Sequence, residues 1–277
     1  MRKKIWLKRL LKVIAFFGIF LIVLGIIFNQ LVFSLLIGVG SIDINYGNNE
    51  RGNAIMEFAL SKIKKPRAST YHAISVQNTK NGNYNIAITA LEKAYKINPN
   101  EVGAYYGWVL LYYYHDYKKA IALLNEYNAL TPKFSDYAMG ECIHYLKGLA
   151  YKELGDYELA LKEFDLSIKN SLEEHDESWI DYQILLNRGI TLFYQNKNEE
   201  AITEFERVIK NYNECSEAFY FKGLALVNLN KKVEACSSLT KSLVLIKKGY
   251  KSFDSYVELF HEVYEQDINE AISKNCI

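Results

Sequence analysis

Proline occurs only at Pro66, Pro99 and Pro132 in 277 residues, and glycine only fifteen times. This scarcity, beside abundant Leu, Ala, Glu, Lys and Tyr, favours helices over strands. An excess of charge is missing too, with 33 basic residues against 32 acidic ones. So balanced a chain lacks the broad positive footprint of a nucleic-acid binder. The four cysteines, Cys142, Cys215, Cys236 and Cys276, form no CxxC pair and have no histidine at ligand spacing, which argues against zinc. There is no GxxxxGK[ST], no GxGxxG after a strand, no HExxH and no GxSxG. The five histidines, His72, His115, His144, His175 and His261, stand singly. The acidic run "EEHDE" (Glu173–Glu177) reads as a solvated loop. These absences lead to the expectation of a non-enzymatic protein with no cofactor, no metal and no small-molecule substrate.

Charge is also absent locally. Six cations, Arg2, Lys3, Lys4, Lys8, Arg9 and Lys12, crowd the first twelve residues, and then no charged residue occurs from Val13 to Ile42. A bilayer core of about 30 Å takes roughly 20 helical residues. "VIAFFGIFLIVLGIIF" supplies most of that length, with Asn29 and Gln30 at the far interface. The stretch exceeds the usual apolar core of a signal peptide, although "GVGS" at Gly38–Ser41 offers a late cleavage site. We read it as an uncleaved anchor. The cations before it keep the N-terminus cytoplasmic and send the rest across, to the periplasmic or extracytoplasmic side.

What the chain has in quantity is repetition. A small residue recurs at Ala87, Ala120, Ala160, Ala201 and Ala235, followed four places later by Leu91, Leu124, Phe164, Phe205 and Leu239. Gly148, Gly189 and Gly223 each stand twelve residues before the small residue of their copy. Ser75 and Trp108 hold that place in two looser copies. Turns such as "GNY" and "GDY" separate the two halves, with "HDY" (His115–Tyr117) as a variant. An earlier half-copy runs through Ala54, Phe58 and Pro66. The Ala54–Ala87 and Ala87–Ala120 intervals are 33 residues, the Ala201–Ala235 interval is 34, and the two between are 40 and 41. The longer intervals allow extended first helices in the third and fourth copies, Asp176 or Ser178 capping the latter, or longer surface loops.

This pattern resembles the tetratricopeptide repeat, a helix–turn–helix unit of about 34 residues. The likeness covers about Ala68 to Lys248. It implies an all-α fold: a right-handed superhelical solenoid of about five such units, with a preceding half-unit, a C-terminal capping helix and one N-terminal transmembrane helix. Small residues let paired helices approach, and the Leu or Phe one turn on fills the gap. One hairpin cannot bury its apolar face alone, so the hairpins stack. The expected organisation is a basic N-terminus (1–12), an anchor (13–40), a linker (41–52), a half-repeat helix (53–66), the array (67–250) and a capping helix (251–277). Ser255 with Glu258 fits a capping box for that last helix, and Tyr256, Leu259, Phe260, Val263 and Tyr264 fit its apolar stripe.

The repeat also locates the cysteines. Cys215 and Cys236 fall at opposite ends of one hairpin, about 15 Å apart, whereas a disulfide needs Cα atoms within about 7 Å. Burial as small hydrophobes is the expected state, with Cys276 near the terminus open to pairing.

The resemblance further implies that the first helices line a groove. Carried over position by position, its candidate lining is His72, Tyr105, Tyr112, Tyr113, Tyr145, Lys152, Phe193, Tyr194 and Tyr220. Tyrosine gives broad contact, a polar tip and few torsions to freeze. Such a groove suits an extended or helical peptide; packing of the same tyrosines between helices is the alternative. The functional expectation is a membrane-anchored adaptor that recruits a peptide or protein partner. Two alternatives are an obligate subunit of an envelope transport or secretion complex and, if the N-terminal segment is cleaved, a secreted soluble protein.

Overall fold

The computed structural model describes residues 2–130, 136–174 and 176–276; Pro132 and His175 lie outside them. The chain divides into two units, Met1–Val102 and Gly103–Ile277.

In the first unit, α1 (Arg2–Asn45) is one uninterrupted helix and α2 (Asn49–Lys62) folds back on it. Close approach depends on two glycines. A Cβ on Gly40 would sit 2.6 Å from the Gly52 carbonyl oxygen, and one on Gly52 would sit 2.6 Å from that of Gly40. Ile37, Ile44, Met56, Ala59 and Ile63 form the core between them and reach Ile74 and Ala90 of the next hairpin. That hairpin is α3 (Ala68–Lys80) with α4 (Tyr84–Ile97), which buries Ser75 opposite Ala87, Leu91 and Ala94.

These helices correct three expectations. Residues 41–52 are no linker, because α1 runs through them to Asn45 and α2 begins at Asn49. The half-repeat at 53–66 is the second helix of a complete hairpin whose first helix is the end of α1. The small residue of α2 is Gly52, not Ala54: Gly52, Met56 and Ala59 are buried, whereas Ala54 and Phe58 are exposed. Glycine holds in α2 the place that alanine holds in the later second helices. Among the described residues, one stretch of α1, Phe28–Asn45, is by length and composition apolar enough to cross a membrane.

In the second unit, α5 (Pro99–Val109) continues as a π-helical turn (Leu110–Tyr114) and pairs with α6 (Tyr117–Asn128). The extra residue of a π turn explains why Trp108 seemed to occupy the small position. The small residue is Gly107, one place earlier, where a Cβ would lie 2.7 Å from Leu124. Three further hairpins follow: α7 (Ile143–Glu153) with α8 (Tyr157–Glu174), α9 (Tyr182–Tyr194) with α10 (Asn198–Asn211), and α11 (Ser216–Asn228) with α12 (Lys232–Lys247). Phe164 fills the space at Gly148, Phe205 that at Gly189 and Leu239 that at Gly223, each within 2.5–2.7 Å of where a Cβ would be. The turns between paired helices need one residue in the left-handed region. Gly155 (φ 79°), Asn196 (φ 59°), Asn230 (φ 58°) and His115 (φ 51°) supply it, which gives "HDY" its structural role.

The two long intervals do not lengthen first helices. The earlier one forms a two-residue antiparallel pairing of Tyr137–Ala138 with Glu141–Cys142 just before α7. In the later one α8 itself reaches Glu174, and Asp176 caps a 3₁₀ turn (Glu177–Trp179) by accepting the Ser178 N–H at 2.9 Å. Asp181 caps α9.

The largest departure is at the C-terminus. Only Glu265–Asn275 is helical there (α13). Residues 251–264 form an irregular strap instead of the first half of a capping helix. Asp254, not Ser255, organises its start, accepting N–H bonds from Tyr256 at 2.7 Å and Val257 at 3.0 Å. Lys251 and Glu262 bridge the strap's two ends at 2.7 Å, as in an Ω-loop. Local helix propensity loses here because Phe260, His261 and Val263 find partners across the repeats. Cys236 of α12 is disulfide-bonded to Cys276, just beyond α13 (Cα–Cα 5.6 Å), while Cys142 and Cys215 are buried thiols. The expected burial as small hydrophobes holds for Cys142 and Cys215, and Cys276, left open to pairing, takes Cys236 as its partner.

Candidate functional site

The first helices of the second unit, with the π turn, line a groove, and the strap lies in it. Tyr112 is buried; its hydroxyl donates to Glu141 Oε1 at 2.7 Å, and Trp108 Nε1 donates to Glu141 Oε2 at 2.7 Å. Burial raises the Glu141 carboxyl above its ordinary range, although these two hydrogen bonds oppose the shift. One helix pair further on, Lys152 is buried and donates to Asn187 Oδ1 at 2.6 Å. Asn187 Nδ2 donates in turn to the Tyr145 hydroxyl at 3.2 Å and to the Gln183 carbonyl at 2.9 Å. Burial lowers the Lys152 amine to about 7, against the opposing pull of Glu153, 3.5 Å away.

The strap fits onto this floor at defined points. The Phe260 ring packs on Tyr112, His115 and Tyr117, with the Lys152 ammonium 5.6 Å from its centroid. His261 is held between Glu153 Oε1 and the Tyr194 hydroxyl, each at 3.1 Å. Burial would raise the Glu153 carboxyl, but the His261 hydrogen bond and the Lys152 charge outweigh it and the group is lowered. Two contacts take the strap's backbone. The Tyr113 hydroxyl donates to the Tyr256 carbonyl at 2.6 Å, and Glu217 Oε1 accepts the Ser252 N–H at 2.8 Å. Val263 enters the apolar core of α9–α11.

The nine residues expected to line a groove fall into separate places. Tyr112, Tyr113, Lys152 and Tyr194 meet the strap. Tyr145 is buried beneath it and bonds Asn187, so it offers little surface. Tyr105 stacks on Trp108, with centroids 6.1 Å apart. Phe193 and Tyr220 line a different cleft of about 330 Å³ with Leu224, Asp267, Glu270 and Lys274, between the first helices and α13. His72 belongs to the first unit and is half-buried, its imidazole lowered by burial. Position-by-position transfer missed Glu141, Glu153, Asn187 and Glu217, the polar groups that hold the strap or its floor. Of these, only Glu153 carried a sequence cue, its place beside Lys152.

Stacked helical hairpins whose first helices hold an irregular C-terminal strap define a helical-repeat fold. More narrowly, the chain carries tetratricopeptide repeats: models described as "Tetratricopeptide repeat" match residues 68–101, 143–173 and 186–242. Three solved structures illustrate the fold. PilW, a type IV pilus biogenesis factor, is 14% identical with a TM-score of 0.59, over 78% of this chain and 94% of its own. MamA is 19% identical with a TM-score of 0.54, over 65% and 92%. A tetratricopeptide repeat protein from Parabacteroides merdae is 16% identical with a TM-score of 0.53, over 88% and 84%. At these identities the likeness is one of fold. No curated protein matches the sequence.

Proposed function

We propose that this protein is a membrane-anchored, non-enzymatic adaptor whose repeat groove receives a peptide segment of a protein partner. The observation that carries the reading is the strap itself. An irregular loop of polypeptide sits in the groove, held through its backbone by Tyr113 and Glu217 and through its side chains by Tyr112, Glu153 and Tyr194. A surface that takes one such segment has the chemistry to take another.

The anchoring half of the proposal rests on α1. From Phe33 onward its residues pack into the first hairpin. Val13–Val32 precedes that packing, carries no charge and is 20 residues long, enough for about 30 Å of bilayer. Six cations before it favour a cytoplasmic N-terminus. The Cys236–Cys276 disulfide suits an oxidising, extracytoplasmic compartment. On this reading the anchor continues without a joint into the first repeat, and the adaptor works by raising local concentration in a fixed orientation.

Fractionation tests the anchor: the intact chain is expected to stay with membranes through an alkaline carbonate wash, and recovery in the wash would overturn anchoring. Cross-linking the intact chain in its native membranes tests the groove. A cross-linked partner is expected to be lost when Glu153→Gln and Tyr194→Ala are combined, and one kept in full by that variant would move binding to another face.

A further inference from the structure

The strap does more than demonstrate that the groove accepts peptide: its sequence reports which peptide. We infer that Lys251–Tyr264 is a resident but displaceable ligand. The competing partner is a peptide segment presenting an aromatic side chain followed directly by a basic one, the chemistry of Phe260–His261. This rests on the adaptor reading and narrows it to a ligand class.

The geometry separates a specific seat from a covering contact. The aromatic seat has three rings, Tyr112, His115 and Tyr117, with the Lys152 amine at its edge. The adjoining seat places the Glu153 carboxylate and the Tyr194 hydroxyl on opposite nitrogens of one imidazole. The carboxylate needs a donor, and the hydroxyl can accept or donate, so the pair fits an imidazole by both of its nitrogens and accommodates the separated N–H groups of Arg. Glu153 lies directly against the His261 ring at 3.1 Å, so a basic ligand residue at that place meets a carboxylate. The Tyr113 hydroxyl donates to the strap backbone and the Glu217 carboxylate accepts from it; both bonds are indifferent to sequence and supply general affinity for polypeptide.

The strap is also built to leave. Val263, its one buried residue, stays in the core of α9–α11, while Phe253 and Tyr256 ahead of it are 82% and 61% exposed. A segment with so few buried apolar contacts opens at low free-energy cost. Its two ends are secured independently, by α12 on one side and by α13 through Cys236–Cys276 on the other. The loop can therefore swing off its floor without loss of the terminal helix.

The test uses the full chain and a fluorescent peptide with the sequence of residues 254–264. Tethering gives the resident strap an effective concentration of about millimolar. Peptide binding to the natural chain is therefore expected to be at least about tenfold weaker than to the F260A/H261A chain. Peptides with the same Phe replaced by Ala, or the same His by Glu, are expected not to bind, and His replaced by Arg is expected to be tolerated. A folded F260A/H261A chain, with an unchanged unfolding midpoint, that binds peptide no better than the natural chain overturns the inference. If that variant misfolds, hydrogen exchange on the natural chain decides: saturating peptide must accelerate exchange in residues 251–264, and unchanged exchange overturns it. The two proposals fail separately. Peptide entry without any cross-linked partner would defeat the adaptor reading alone. A partner captured by both chains while peptide is refused would defeat the ligand inference alone.

Discussion

Phe260 stacks on Tyr112 with 5.6 Å between ring centroids and 19° between ring planes. The first residue belongs to an irregular strap and the second to a π-helical turn, so neither local pattern announced the pair. The contact ties the groove's state to the strap's. Phe260→Ala should speed amide exchange across 256–263 by about tenfold or more, since local opening there is weakly opposed. Exchange in α9 to α12 should remain as before. Equal acceleration throughout the second unit would mean that Phe260 supports the fold and not the strap alone.

The glycines of the first helices make a sharper prediction. A Cβ on Gly148 would lie 2.5 Å from the Phe164 ring, which is fully buried. Overpacking of this kind costs about 1–3 kcal/mol, more than the roughly 1 kcal/mol that Ala gains over Gly in a helix. Gly148→Ala should therefore lower stability in urea unfolding. The double variant Gly148→Ala, Phe164→Leu should recover part of the loss, because the two sites touch. Gly38→Ala is the control: nothing lies within 4 Å of its Cβ position, so it should be neutral or stabilising.

The repeat was legible because its physics is periodic. Gly148, Gly189 and Gly223 stand twelve residues before their partner alanines, and each meets the Phe or Leu four residues after that alanine. Where the period was altered by one residue, at the π turn, Trp108 displaced Gly107 in the alignment. Where glycine replaced alanine, at Gly52, the first hairpin was read as half a hairpin. The strap was illegible for a different reason. Its Ser255–Glu258 spacing and apolar stripe favour a helix locally, and only contacts from Tyr112, Glu153 and Tyr194 reveal the competing state. Much of the candidate site went unread with it, since Glu141, Asn187 and Glu217 matter through partners far away in sequence.

The disulfide closes a 40-residue separation that contains the whole strap. Loop-closure entropy over that length corresponds to about 4 kcal/mol of stabilisation. Cys276→Ser should reduce the unfolding free energy by up to that amount and detach α13 first, visible as faster exchange at Ile268 and Ala271, both buried. A reducing agent should reproduce the loss in the natural chain and leave the variant unchanged. No difference between the natural chain with and without reductant would show that α13 is held by packing alone.

Lys152 makes stability depend on pH in a direction opposite to that of an ordinary surface lysine pair. Its amine is buried against Asn187, with Glu153 beside it and the Phe260 ring nearby, and burial lowers it from 10.5 to about 7. Between these values the unfolded chain binds a proton that the folded chain does not. Stability therefore rises with pH from about 7 toward 10, wherever the unfolded state holds more protons. Below about 7 the amine is protonated in both states and its contribution is level. Lys152→Met removes the titrating group while keeping an unbranched side chain of similar length, so it should flatten that rise. Urea unfolding of both chains at pH 7, 8 and 9 measures the difference between their slopes. Parallel slopes would place the Lys152 amine near its ordinary value, with water reaching it beneath the strap.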